Sequence, residues 1–227
     1  MNEPQLVTGL SNREFLETYA APGRVGLASG SCIISRGIAR AQRSLTEEGE
    51  TGRWTHAFLM QGRRMDGHHW VVESDLDVHR KHIRLGVQEN RLEKFWDESQ
   101  SVSLAVMDFG LGEEALATVM AESLGMVAGR VRYALRELLG TLIAIRRPGM
   151  RARPNPLDNA HSVYCSAFVA HVLRKAGLDP APGLSAKNIA PEDIFRSPAP
   201  AQVWLCLRDR VKKPTLLRRV GARLKRG

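Results

Sequence analysis

Cysteine is scarce in this 227-residue sequence, which contains only Cys32, Cys165 and Cys206. An odd number of cysteines at wide spacing argues against a disulfide framework and against a CxxC zinc or redox site. Free thiols are typical of proteins in a reducing compartment. The chain must therefore build its core without disulfide staples, and its length suffices for one large domain.

Long apolar runs are also missing. No segment approaches the ~20 consecutive apolar residues of a membrane-spanning helix, and residues 1–30 lack the basic start and apolar centre of a secretory signal. We therefore expect a cytoplasmic protein, with signal-independent export as the alternative. The sequence contains no GxGxxG or P-loop motif, so we predict no nucleotide and no other cofactor.

Positive charge is concentrated at the C-terminus. The formal net charge is +9, and residues 208–227 contain nine Lys/Arg and one Asp, so the rest of the chain is close to neutral. Such a segment binds an anionic membrane, nucleic acid or an acidic partner, or is simply a solvated terminal helix. The absence of interleaved aromatic residues argues against nucleic acid. Helix-like spacing of Leu216, Leu217, Val220 and Leu224 favours a membrane surface.

Short strand-like runs and helical segments alternate irregularly, which predicts an α+β fold. The predicted helices cover 11–20, 32–44, 91–98, 113–128, 131–145 and 165–176. The predicted strands cover 24–28, 54–60, 68–73, 101–109 and 203–207. A turn is predicted at 29–31, and the polar stretch 74–89 predicts only a short strand near Ile83. We predict a single domain over 1–207, with 113–145 as a helical insert and 208–227 as a basic tail.

Cys165 lies at the start of a predicted helix whose apolar residues Phe168, Val169, Val172 and Leu173 form one buried face. The N-terminus of a helix carries partial positive charge and free N–H groups, which favour a thiolate and stabilise an oxyanion. The alternative is that Cys165 is a small core residue, which is the commoner role of an isolated cysteine. A cysteine nucleophile needs a histidine base, and that base needs an orienting acceptor.

His56 is the best candidate for this base because it lies within an apolar strand-like run. A hairpin centred between Arg64 and Met65 would place Glu73 opposite His56, where its carboxylate would orient the imidazole. A turn at Asp66-Gly67 would shift that pairing. The alternative is that His56 is a half-buried structural histidine.

The remaining histidines give little support for a metal centre. His79-x-x-His82 and the His68-His69 pair have no Cys or carboxylate at the usual spacing of a structural zinc site. We therefore predict no metal.

The order of His56, Glu73 and Cys165 along the chain resembles that of the circularly permuted papain-fold hydrolases. These are the YiiX-like, NlpC-type enzymes, to which the lecithin:retinol acyltransferases are related. Three pairs of short segments carry the resemblance: 22–27 with the helix from Cys32, 54–59 with 71–74, and 164–169 with 190–194. One departure is Arg24, which stands where the family usually has Asp after its opening Pro-Gly.

The resemblance implies an antiparallel sheet packed against the helix that bears Cys165. It also implies that Cys165 is the nucleophile, His56 the base and Glu73 the third member of a triad. Backbone N–H groups near Cys165 and Ser166 would hold the oxyanion, and Tyr164 would either add a hydrogen bond near the cleft or serve in packing. The implied reaction passes through a thioester, with a cell-wall peptide amide or a lipid acyl ester as substrate. A non-catalytic binding module of the same fold is the rival interpretation.

Overall fold

The computed structural model describes residues 3–30, 39–40, 42, 52–79, 82–133 and 162–208. The predicted helix at 32–44, the region 134–161 and the tail beyond Arg208 lie outside these ranges, apart from residues 39, 40 and 42. No helix within the described ranges is long and apolar enough to cross a membrane.

A seven-stranded sheet forms the centre of the described structure. Its strand order is β1-β9-β6-β2-β3-β4-β5, and every neighbouring pair is antiparallel except β1 with β9 at one edge. The strands are β1 (Gln5–Leu6), β2 (Val25–Gly30), β3 (His56–Arg63), β4 (His69–His79), β5 (His82–Arg91), β6 (Ser101–Asp108) and β9 (Gln202–Cys206). A second, parallel pair is formed by β7 (Arg132–Tyr133) and β8 (Ser162–Val163). The predicted α+β fold with an antiparallel sheet is confirmed.

Four helices lie wholly within the described ranges; three of them match predicted helices, whereas the short helix at Pro191–Phe195 lies in a stretch where no helix was predicted. They are α1 (Asn12–Tyr19), α2 (Glu113–Ala128), α3 (Cys165–Lys175) and α4 (Pro191–Phe195), with short 3-10 turns at Leu92–Phe95 and Ala186–Asn188. A capping box between Ser11 and Glu14 starts α1. Gly177, with φ of +80°, lies just after α3, where a left-handed residue terminates a helix.

The two faces of the sheet bury different clusters, because successive strand residues point to opposite sides. On β3, Ala57 and Leu59 pack with the apolar face of α3. Phe58 and Met60 pack on the other side, together with residues of α1 and the Leu92–Phe95 turn. The apolar face of α3 therefore packs on one side of the sheet, and His56, which begins β3, alternates with Ala57 and shares the side of Phe58.

Two sequence-based predictions about the β-structure were wrong. Residues 74–79 and 82–89 lie in two long paired strands, since β4 continues to His79 and pairs with β5 from Trp70 opposite Arg91 to His79 opposite His82. Polar residues are tolerated there because β5 is an edge strand. The turn predicted at 29–31 was wrong at its first two residues, since β2 continues through Ser29 to Gly30, and Ser31 lies outside the described residues.

The segment after α2 also departs from prediction. A helix was predicted from Val131, but Arg132–Tyr133 forms β7. Arg130 adopts a left-handed φ of +52°, which interrupts the helical path. The backbone N–H of Val87 donates to the carbonyl of Val131 and ties this segment to β5.

Candidate active site

His56 and Glu73 lie on adjacent strands but are diagonal to each other. Leu59 is opposite Val72, and extension of this register places Phe58, rather than His56, opposite Glu73. The directly opposed pair predicted from the sequence was wrong because the hairpin turns at Arg64–Gly67 and a bulge interrupts the ladder between Met60 and Gly62. Diagonal neighbours remain within reach of long side chains.

The His56 ring is held by a carboxylate and by two aromatic rings. Its Nε2 lies 2.5 Å from Oε2 of Glu73, which is fully buried. The rings of Phe58 and Phe95 stack beside it, with centroids 6.3 Å and 6.0 Å away. The His56 side chain keeps 18% of its surface exposed, so the ring is fixed in orientation but still reaches the surface.

Cys165 is the third side chain of this group. It is the first residue of α3 and is 4% exposed. Burial lowers the pKa of His56, but its hydrogen bond and charge interaction with Cys165, and then with Glu73, raise that pKa well above the ordinary value. Because Glu73 engages Nε2, Nδ1 is the ring nitrogen left for the Cys165 thiol. The structure thus brings together the three residues that the sequence singled out.

Glu73 accepts three hydrogen bonds, two from the sheet and one from the turn that follows β5. His56 contacts Oε2, while Asn90 Nδ2 and Lys94 Nζ donate to Oε1 at 2.6 Å and 2.7 Å. Burial raises the pKa of Glu73, but the charge of Lys94 and the hydrogen bond with His56 lower it to about 2. The carboxylate is therefore ionised at neutral pH although water does not reach it.

Lys94 lies between two carboxylates. Its Nζ donates to Glu73 and also to Oδ2 of Asp75, at 2.7 Å and 2.5 Å. Burial lowers the pKa of Lys94, but the charges of Glu73 and Asp75 outweigh it and raise that pKa. Sequence reasoning missed Asn90, Lys94 and Asp75, because each of them acts through the β4–β5 pairing. The sequence does contain a polar run at Gln88–Lys94, but its residues can be assigned to the site only if β5 is predicted as a strand paired with β4.

The side chains of Tyr164 and Ser166 have a structural partner. Both hydroxyls donate to the carbonyl of Ile189, at 3.2 Å and 2.7 Å, and both side chains are buried. They fix the segment before α4 against the start of α3. The backbone N–H groups of the first turn of α3 have no partner within the helix, as at any helix N-terminus.

Glu192, on α4, holds the residues that precede β3. Its Oε2 accepts from the backbone N–H groups of Arg53 and Trp54, at 3.1 Å and 3.4 Å. Gln42 links the same two segments, since its amide donates to the Trp54 carbonyl and accepts from the Glu192 N–H. These contacts determine where the chain enters β3 and therefore where His56 lies.

Among the described residues, His56, Glu73 and Asp75 form a group with ligand atoms of the kind that metals bind, all within 4.8 Å of one another. The group does not fit a divalent ion, because the Lys94 ammonium already contacts both carboxylates. A metal ion bound to those oxygens would be next to a like charge. The other described histidines with ion-pair partners, His68 and His171, each contact a single carboxylate.

Comparison with known proteins gives a structural neighbour. No protein-family model matches this sequence, and no curated protein matches it. The fold is similar to the solved structure of the metalloprotein YiiX from Escherichia coli O157:H7, with a TM-score of 0.53 and 12% sequence identity. The similarity covers 84% of this chain and 98% of that chain. At this identity the likeness concerns the fold alone, and the fold is YiiX-like.

Proposed function

We propose that this chain is a cysteine-dependent hydrolase or acyltransferase with a circularly permuted papain-like fold and a Cys165–His56–Glu73 triad. The observation that carries the proposal is the double engagement of His56, which contacts the Glu73 carboxylate through Nε2 and interacts with Cys165. A nucleophile, a base beside it and an acceptor that orients the base are the parts required for covalent catalysis.

The proposed reaction begins when the proton of the Cys165 thiol moves to Nδ1 of His56. The thiolate attacks the carbonyl carbon of an amide or ester, and backbone N–H groups at Cys165 and Ser166 bind the resulting oxyanion. His56 then protonates the departing amine or alcohol, which leaves a thioester on Cys165. Water or an acceptor gives its proton to His56 and attacks the thioester, and the thiolate is released. Throughout, Glu73 remains ionised and holds the ring in one orientation.

The substrate class is a peptide amide or a lipid acyl ester. The basic segment 208–227 favours the lipid alternative, because a cluster of Lys/Arg attracts anionic headgroups and brings the site close to acyl chains. YiiX is described as a metalloprotein, but the proposed reaction here does not use a metal. Lys94 supplies the positive charge beside Glu73 and Asp75.

Alkylation of Cys165 tests whether the thiol is activated. A Cys32→Ser/Cys206→Ser variant leaves Cys165 as the single thiol, and its rate with iodoacetamide is measured at pH 6. An ordinary thiol with a pKa of about 8.5 is only about 0.3% thiolate at that pH. We expect Cys165 to react at least ~10 times faster than N-acetylcysteine, and a further His56→Gln substitution to remove the advantage.

The same assay distinguishes the proposed enzyme from a non-catalytic binding module of the same fold. If Cys165 and His56 are only packed residues of a binding module, Cys165 reacts no faster than N-acetylcysteine, and His56→Gln changes nothing. Labelling in urea verifies that the thiol is intact in each variant. A p-nitrophenyl ester supplies the second readout, since intact mass spectrometry should detect an acyl adduct that Cys165→Ser lacks.

A further inference from the structure

The ammonium group of Lys94 lies where the carboxylates of β4 converge. Glu73 is completely buried and Asp75 is partly buried, and Lys94 Nζ is within 2.7 Å of an oxygen of each. His56 Nε2 closes the group from β3. Three side chains from two strands, His56, Glu73 and Asp75, thus converge, and the cation that contacts both carboxylates comes from the Leu92–Phe95 turn of the protein itself.

We infer that Lys94 is a built-in cation that takes the place of a divalent metal ion in the His56–Glu73–Asp75 cluster. The three side chains offer an imidazole nitrogen and carboxylate oxygens, which suit Mn²⁺ among other ions. With Lys94 present, one ammonium contacts both negatively charged carboxylates, and the ring of His56 hydrogen-bonds to Glu73. A metal ion is excluded because the ammonium occupies the oxygens and repels a second cation.

Lys94 acts on the reaction through Glu73 and is therefore a positioning residue. It gives the buried carboxylate a permanent counter-charge, so that Glu73 accepts from His56 without a bound ion. The inference rests on the geometry of the cluster and does not depend on which bond the protein cleaves.

The test is a titration of the full chain with Mn²⁺, in which the electron paramagnetic resonance signal of free Mn²⁺ measures how much ion is bound. Lys94→Met removes the charge but keeps an unbranched side chain against Phe95, whereas Lys94→Arg keeps the charge. We expect no saturable binding to the wild type or to Lys94→Arg in the millimolar range. Lys94→Met should bind Mn²⁺ at least ~100 times more tightly than the wild type, because the positive charge of Lys94 no longer repels the divalent ion. Adding Asp75→Asn to Lys94→Met should abolish the gained site.

Equal binding by the wild type and Lys94→Met, or the absence of binding to both, would overturn the inference. If Lys94→Met does not fold, as judged by urea unfolding, Lys94→Gln replaces it as a second uncharged variant. The alkylation rate of Cys165 is recorded on the same wild-type sample. An unreactive Cys165 together with a gained Mn²⁺ site would reject the proposed hydrolase but not the role of Lys94. A reactive Cys165 without a gained Mn²⁺ site would reject the role of Lys94 but not the proposed hydrolase.

Discussion

Replacing Glu73 by Gln removes a buried negative charge and keeps the side-chain size. The ordinary pKa of 4.5 falls to about 2 in the folded protein, because the charge of Lys94 and the contact with His56 outweigh burial. A difference of about 2.5 units at about 1.4 kcal/mol per unit corresponds to about 3 kcal/mol of stability from the ionised form. Glu73→Gln should therefore lower the free energy of unfolding by about 3 kcal/mol at pH 6, which agrees with the usual cost of breaking a buried ion pair.

The sign of the pH dependence follows from the direction of this shift. A carboxylate whose pKa is depressed by folding stabilises the protein above its unfolded pKa of 4.5, and this stabilisation is lost as the pH falls towards about 2. The gap between wild type and Glu73→Gln should thus narrow by about 2 kcal/mol between pH 6 and pH 3. The series starts at pH 6, and not at a higher pH, because His56 contributes to stability with the opposite pH dependence. Its pKa is raised by folding, so its contribution is present at low pH and is lost only as the pH rises through the pKa of the folded state.

Urea unfolding of both proteins at pH 6, 4.5 and 3 measures this gap without changing the ionic strength. Glu89→Gln is the matched control, since Glu89 is also on the β4–β5 hairpin but is 26% exposed and pairs with Arg64 at the surface. A partly exposed pair of this kind contributes about 0–1 kcal/mol. A Glu73→Gln gap that stays constant from pH 6 to pH 3 would refute the reasoning, because the effect would then not come from the charge.

Two further predictions concern the support of the ring and the basic tail. Gly26 lies opposite Phe58, and a Cβ there would be 2.1 Å from the ring carbons, so Gly26→Ala should cost about 1–3 kcal/mol in urea unfolding and slow the alkylation of Cys165. Gly125→Ala in α2, where a Cβ meets no atom within 4 Å, should instead stabilise by about 0.5–1 kcal/mol, and equal losses in both variants would contradict this account. A chain ending at Arg208 should bind phosphatidylserine vesicles at least ~10 times more weakly than the full chain. Equal binding would remove the membrane role of the tail, and Arg208 is retained because it contacts Glu98 and the Leu10 carbonyl.

The sequence pointed to three residues that the structure brings together, His56, Glu73 and Cys165, but their geometry could not be predicted. An apolar run around His56 and a helical stripe after Cys165 are local signals that a single sequence displays. The register between β3 and β4 depends on a bulge at Gly62, whose φ is +93° and whose missing Cβ makes room for Pro22. Such a close approach is a tertiary contact, and a one-residue shift of register changes every cross-strand neighbour.

The polar part of the site was missed for a different reason. β5 is an edge strand with residues such as Gln88, Glu89 and Asn90, and such a strand lacks the alternation that identifies a half-buried one. Without β5, neither Asn90 nor Lys94 can be placed beside Glu73. The long-range contacts of Glu192 and Gln42 with the start of β3 are likewise invisible to local patterns.

In the proposed triad, a buried glutamate as the third residue has a physical consequence that Lys94 offsets. A buried carboxyl group tends to take up a proton, because burial disfavours its charged form, and a protonated Glu73 would be a weaker acceptor for a proton-bearing Nε2. The ammonium of Lys94 at 2.7 Å and the amide of Asn90 at 2.6 Å keep the carboxylate charged and saturate its second oxygen. Oε2 is then left with His56 as its partner in the cluster. The orientation of the His56 ring therefore depends on β5 and the turn after it as much as on the strand that carries His56.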